Sequence, residues 1–213
     1  MNLLQDTTSL AQAICEKYLK EHDTAVDCTC GRGYDTRFLA GLCRKVYSFD
    51  IQQEAIESAE RLLDDSGISW EAWEIRNEPI KQGERGRFGA CAEAESQAKV
   101  TFINDSHVNM KNYVSEEPAV IIFNLGYLPG GDKSITTRKD TTATAVKEAV
   151  ETVKAGGIVC ITVYPGHEEG AAEKEELKRF AETLEKSRFH CVYADMLNQG
   201  HAAPEILWIT RKK

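Results

Sequence analysis

The sequence predicts an α/β fold: a seven-stranded, mostly parallel sheet with helices on both faces. Three observations carry that prediction. Short apolar runs suited to buried strands alternate with segments of helical periodicity, the pattern that builds parallel sheets. The stretch TAVDCTCGRGYDTRFLA, beginning at Thr24, reads as strand, glycine turn and helix. Lys45 to Asp50 reads as a second strand ending, like the first, on a carboxylate.

Each element has its own signal. Asp6-Thr7-Thr8-Ser9 offers N-caps to a leading helix whose apolar face is Leu10, Ala13, Ile14, Tyr18 and Leu19. Ala25 to Cys28 suits a buried strand, Gly31 and Gly33 allow positive φ, and Tyr34 to Leu42 has helical spacing. Gln52 to Asp65 is amphipathic and stops at Ser66-Gly67. Ile68 to Ala98, with Trp70, Trp73, Pro79 and three glycines among charges, reads as an irregular loop or solvated insertion. Val100 to Asp105 is the third strand, and Ala119 to Phe123 the most apolar and hence central one. Thr136 to Ala155 has helical periodicity with Gly156-Gly157 as its stop. Gly157 to Val163 is a fifth strand, Glu169 to Lys186 a helix, and Phe189 to Leu197 with Glu205 to Arg211 a closing hairpin.

At 213 residues the chain fits one domain, 1–213, able to bury about 70% of its unfolded surface. The first residues lack a charged signal region, and no stretch approaches the roughly 20 apolar residues of a membrane span, so a cytoplasmic protein is expected. Seven cysteines, with no C-x-x-C pair, argue against a disulfide framework and a zinc site. A net charge of −8 excludes a broadly basic nucleic-acid coat but leaves room for a local patch.

The glycine turn points backbone N–H groups and a helix N-terminus at a polar or anionic ligand. A dinucleotide fingerprint would need a small residue where Thr36 stands. The spacing Asp27-x-x-x-Gly31-x-Gly33 resembles motif I of the S-adenosylmethionine (SAM) methyltransferases instead. Asp50, roughly 20 residues further on, is placed to accept ribose hydroxyls. The bland alternative is that the glycines only make a turn and Asp27 caps the helix. After the fourth strand, Asn124-Leu125-Gly126-Tyr127 occupies the place where amino-methylating enzymes carry an Asn/Asp-Pro-Pro-Tyr/Phe signature. A side-chain carbonyl there can hold an amine in line with a methyl donor, and Tyr127 can stack on a base or face a cation. Otherwise Asn124 caps a turn and Tyr127 joins the core.

NLGYLPGGDK followed by Ile135-Thr136-Thr137, with motif I in the form D-x-x-x-G-x-G-x-D-T, resembles a family of small bacterial and plastid methyltransferases. Once labelled rRNA methylases, they are associated with the tRNA wobble uridine, where they convert 5-aminomethyl-(2-thio)uridine to its methylaminomethyl form. Val163 to His167 also looks like the family's strand-end segment, whereas Pro79 to Lys99 is longer and more charged than the family leads one to expect. The resemblance implies a class I, Rossmann-like methyltransferase fold with SAM as cofactor and no metal. It implies a SAM site of Asp27, Gly31, Gly33, Asp35, Thr36, Asp50, Gln52, Asp105, Ser106, His107 and Asn124. Asn124 and Tyr127 would orient the amine, and Gly126, Lys133, Arg138, Lys139 and His167 would meet the substrate. The implied partner is tRNA through its anticodon loop, with no membrane and a homodimer among the possible assemblies. The rival readings are an rRNA or small-molecule N-methyltransferase, a non-catalytic nucleotide-binding module and, last, an NAD oxidoreductase.

Overall fold

Side chains alternate across a strand, so a strand covered on both faces must be apolar along its length. Val120 to Phe123 meet that condition and are all buried. The computed structural model describes residues 6–74, 99–128, 130–132, 135–200 and 202–213. In chain order the elements are α1 (Thr7–Glu16), β1 (Thr24–Asp27), α2 (Tyr34–Ala40), β2 (Lys45–Phe49), α3 (Gln53–Asp65), β3 (Trp70–Glu74) and β4 (Val100–Asn104). After a 3₁₀ helix (His107–Asn112) come β5 (Val120–Asn124), α4 (Lys139–Thr152), β6 (Ile158–Val163), α5 (Glu168–Thr183), β7 (Phe189–Ala194) and β8 (Glu205–Arg211).

The strands form one sheet in the order β3-β4-β2-β1-β5-β6-β8-β7. Strands β1 to β6 pair in parallel, and β8 runs antiparallel between β6 and β7. The chain builds outward from β1 through β2 to β4 and then crosses back to β5. Beyond the carboxyl ends of β1 and β5 a crevice therefore opens, which is where such sheets bind ligands. Each face of the sheet has its own core. Val26, Ile121, Phe123 and Ile161 pack under α4, α5 and the 3₁₀ helix; Ala25, Val120, Ile122 and Cys160 pack under α1, α2 and α3. Among the described residues, no helix is long and apolar enough to cross a membrane.

The structure departs from the sequence reading in four places. Trp70–Glu74, expected to be irregular, is an edge strand that brings the sheet to eight. Its segment lacks strand alternation and is fixed by distant partners: Glu71 accepts from Thr101 at 2.6 Å and Lys45 at 3.2 Å, and Trp70 packs edge-on against Phe102. Of the expected irregular stretch, residues 75–98 lie outside the described residues. The buried stripe of α1 is Thr7, Ala11 and Cys15, with Leu10, Ile14, Tyr18 and Leu19 on its flanks. Small residues on that stripe let the helix lie close to the sheet. A 3₁₀ helix follows β4, and α4 starts three residues later than its periodicity suggests because Thr136 and Thr137 are used by the preceding loop.

Gly33 ties the glycine turn to α3. Its φ is +81°, and a Cβ there would stand 2.7 Å from the Ala59 Cβ and 2.9 Å from its Cα. Left-handed strain and overpacking each cost about 1 to 3 kcal/mol. Gly33→Ala should therefore lower the thermal midpoint by roughly 4 to 24 °C, measured by differential scanning calorimetry; an unchanged midpoint would mean that α3 moves aside freely.

Candidate active site

The turn after β1 is held from below by acids. Asp27 is fully buried: one carboxylate oxygen accepts the Thr36 hydroxyl at 2.6 Å and the other the Thr29 amide at 3.1 Å. Thr36 also shares a hydrogen bond with Ser48 on β2 at 2.7 Å. Burial, then the neighbouring Asp35, push the Asp27 carboxyl up to about 7. Expected to face the ligand, Asp27 and Thr36 instead lie beneath the loop and brace it. Gly31, at φ +52°, donates its N–H to Asp50 Oδ2 at 2.9 Å, and Asp50 Oδ1 accepts the Gln52 amide at 2.9 Å. Asp50 is only partly buried, and burial raises its carboxyl from the ordinary value. Gln52 caps α3, and its Oε1 is buried with no hydrogen-bond partner.

Just past the end of β4, Asp105 precedes Ser106, the N-cap of the 3₁₀ helix. Its carboxylate accepts from the Ser106 amide at 2.6 Å, the Asn109 amide group at 2.9 Å and the Tyr113 hydroxyl at 2.9 Å, while the Ser106 hydroxyl accepts from Val108. These residues shape the wall more than they reach into the crevice. His107 bonds the Cys28 carbonyl through Nδ1 at 3.0 Å. A carbonyl only accepts, so Nδ1 carries the proton; burial lowers the imidazole pKa, and Nε2 is left as a buried acceptor without a partner.

The end of β5 faces the same crevice. The Asn124 backbone N–H donates to the Thr29 hydroxyl at 2.7 Å, locking this strand end to the first loop. Its side-chain Nδ2 donates to Asp35 Oδ2 at 3.3 Å, and Asp35 Oδ1 accepts from Gln12 at 2.8 Å. Oδ1 of Asn124 is buried and unpartnered. Tyr164 stands beside this group, its hydroxyl pKa raised by burial and by Asp35. Gly126, at φ +121°, exchanges two hydrogen bonds with Thr137: N–H to the hydroxyl at 2.9 Å, and carbonyl from the Thr137 amide at 3.0 Å. The next residue, Tyr127, is 40% exposed and pairs with Thr136 in an isolated bridge. The His167 ring lies 6.1 Å from that of Tyr127; His167 caps α5 by accepting the Gly170 N–H on Nδ1 at 3.1 Å, so Nε2 carries the proton in the neutral ring.

Five buried side-chain atoms without a hydrogen-bond partner lie at or just beyond the carboxyl ends of β2, β4, β5 and β6: Gln52 Oε1, His107 Nε2, Asn124 Oδ1, Thr136 Oγ1 and His167 Nε2. Among the described residues only Glu148 Oε1, ion-paired with Lys111, and Trp208 Nε1 share that state. Buried polar groups are normally satisfied, and a group of exceptions around one crevice marks a polar ligand site.

The family described as "Putative rRNA methylase" matches residues 46–210. The chain belongs to that family. It is 34% identical to the chloroplastic tRNA (mnm5s2U34)-methyltransferase of Arabidopsis thaliana over 216 residues, which is 97% of this chain and 69% of that protein. It superposes on a "putative rRNA-methylase" from Clostridium thermocellum with a TM-score of 0.81, 32% identity and 98% coverage of both chains. SMU.1697c, a "putative methyltransferase" from Streptococcus mutans in complex with SAH, matches with a TM-score of 0.78 and 28% identity, over 98% of this chain and 99% of that one. This rRNA-methylase-family protein is a SAM-dependent enzyme with the class I methyltransferase fold.

The crevice fits SAM: Asp50 offers a partly exposed carboxylate, Gln52 Oε1 and His107 Nε2 lack partners, and the exposed side chain of Ile51 can cover an apolar ring face. Gly31, Asp50, Gln52, His107, Asn124 and Tyr127 are brought together. Arg138 is exposed at the start of α4, the Lys139 amide is held by Glu169 at 2.8 Å, and Lys133 lies outside the described residues. Sequence reasoning missed Gln12, Thr29, Thr137, Tyr164 and Glu173, whose roles rest on contacts between distant segments. Tyr34, at the start of α2, is 56% exposed, with the Arg37 guanidinium 5.9 Å from its ring centre.

The raised Asp27 carboxyl has a stability consequence. The folded state binds this proton more tightly than the unfolded chain, so stability falls as pH rises from the ordinary carboxylate range to about 7 and then levels off. Asp27→Asn keeps an acceptor for Thr29 and lets Thr36 accept instead of donate. Thermal melts from pH 4 to pH 8 should show a flatter decline in the variant; identical slopes would place the proton elsewhere.

Proposed function

We propose that this enzyme methylates the 5-aminomethyl group of (2-thio)uridine at the tRNA wobble position, giving the methylaminomethyl nucleoside. The observation that carries the reading is Asn124 Oδ1, a buried acceptor with no partner, set between the cofactor loop and the exposed Tyr127 ring. The name of the Arabidopsis relative supplies the substrate class. In this reading residues 1–213 act as one domain in the cytoplasm, the anticodon loop enters the site, and the proposal extends to a homodimer, which light scattering would measure.

An alkylamine resembling lysine has a reference pKa near ~10.4, so most substrate arrives protonated and unreactive. Burial disfavours that charge, and a neutral amide oxygen can accept an N–H from the free amine while its lone pair stays available. A carboxylate at the same place would hold the ammonium. When bound, SAM supplies the electrophilic methyl group. Asp50 and Gln52 would hold its ribose, His107 its base and Asn124 the incoming amine. Asp35 acts on the amine through the Asn124 amide, which it orients. Tyr127 offers an exposed ring to the uracil, and His167 Nε2–H a donor beside it. Arg138, Lys139 and Lys133 would meet phosphates, joined by Arg32, Tyr34 and Arg37 at the start of α2. Local positive charge would draw RNA to a chain of net charge −8.

The test is mass spectrometry of nucleosides from aminomethyl-bearing tRNA incubated with SAM, with rRNA as the competing substrate; methylation of rRNA alone would overturn the assignment. In the same assay Asn124→Ala should cut kcat by about 10²-fold or more while SAM affinity by calorimetry stays near that of the parent. Near-normal turnover would remove Asn124 from the chemistry.

A further inference from the structure

The loop that carries Tyr127 is anchored at a carboxylate outside the crevice. Glu173 on α5 is 1% exposed. Its Oε2 accepts the Thr137 hydroxyl at 3.0 Å and its Oε1 the Thr142 hydroxyl at 2.6 Å. The direction of the Thr137 bond is fixed. The Gly126 N–H can only donate, so Thr137 Oγ1 accepts there and has its one proton left for Glu173. The Thr137 amide in turn donates to the Gly126 carbonyl. Both polar groups of the Gly126 peptide unit are therefore held by Thr137, which is held by Glu173. Burying a carboxylate is costly unless its oxygens are bonded, and an apolar residue would pack α5 at lower cost. Both hydroxyls that bond it lie at the exit of the substrate loop or in the first turns of α4, where Glu169 also accepts the Lys139 amide at 2.8 Å.

We infer that Glu173 is a positioning residue for the substrate loop: through Thr137 it fixes Gly126, and so sets where Tyr127 stands relative to Asn124. The inference rests on the methyl-transfer reading above for its effect on rate, though not for its effect on the loop. The sequence distance from Gly126 to Glu173 hides this link, which α5 closes by packing beside α4.

The experiment compares the parent with Glu173→Gln, Thr137→Val and Thr137→Ser. Gln removes the charge and leaves one acceptor oxygen where the carboxylate offers two, and Val keeps the shape of Thr without its hydroxyl. Turnover of aminomethyl-bearing tRNA should fall by about 10-fold to 10²-fold in Glu173→Gln and Thr137→Val, the scale of a misplaced reacting group. SAM affinity should stay within about twofold, and Thr137→Ser, which keeps the hydroxyl, should recover most of the rate. The double variant should be no slower than Thr137→Val alone. Amide hydrogen exchange needs no substrate: Gly126 and Thr137 should exchange about tenfold faster in Glu173→Gln, with β5 unchanged. Parent-like exchange at Gly126 would overturn the inference, as would a joint fall in SAM affinity and kcat. A parent that leaves tRNA unmodified would count against the substrate reading and leave the exchange result to decide on Glu173.

Discussion

A carboxylate can only accept hydrogen bonds, and that asymmetry decides which way the Asn124 amide faces. Asp35, in the first turn of α2, takes the Nδ2 side at 3.3 Å and leaves Oδ1 as a buried acceptor without a partner. Were the amide reversed, two acceptors would meet and the crevice would present a donor to an amine that needs an acceptor. Asp35 is held in turn by Gln12 from α1 at 2.8 Å. One carboxylate, through two hydrogen bonds, thus joins the leading helix, the motif I helix and the central strand, and gives the site its polarity.

The arrangement is possible because the strand ends are locked together by bonds that ignore side-chain size. The Asn124 backbone N–H donates to the Thr29 hydroxyl, the Thr29 backbone N–H to Asp27, and Thr36 bridges Asp27 to Ser48 of β2. A buried acid is an expensive brace. Its compensation is direction, since each oxygen fixes the loop at one point and the loop fixes Asp50, which bonds Gly31 and Gln52 from the side. Precision at a methyl-transfer site comes from such preorganised groups more than from packed apolar surface.

Much of this was legible in the sequence because the signals are local. A strand, a glycine turn and a helix in the order Ala25, Gly31, Gly33, Tyr34 specify the first unit, and Asp50 and Asn124 stand at strand ends that periodicity places. The unreadable parts depend on partners far away in sequence. Glu71 makes an edge strand of Trp70–Glu74 by finding Thr101, and Glu173 becomes an anchor only when α5 lies beside α4. Asp27 looked ligand-facing because an acid at a strand end reads the same whether it faces the crevice or the loop. Burial alone separates the two. Asp105 also has local partners that the sequence does not announce: its oxygens serve Asn109 and Tyr113 within the next turn.

The most direct test of the account is a double-mutant cycle between Asp35 and Asn124, read as kcat on aminomethyl-bearing tRNA with SAM affinity measured alongside. If Asp35 acts by orienting the Asn124 amide, Asp35→Ala should slow turnover in the parent but add nothing once Asn124 is alanine, a coupling as large as the Asp35 effect itself. Additive losses would show that the two residues act independently and would contradict the claim that this hydrogen bond sets the polarity of the site.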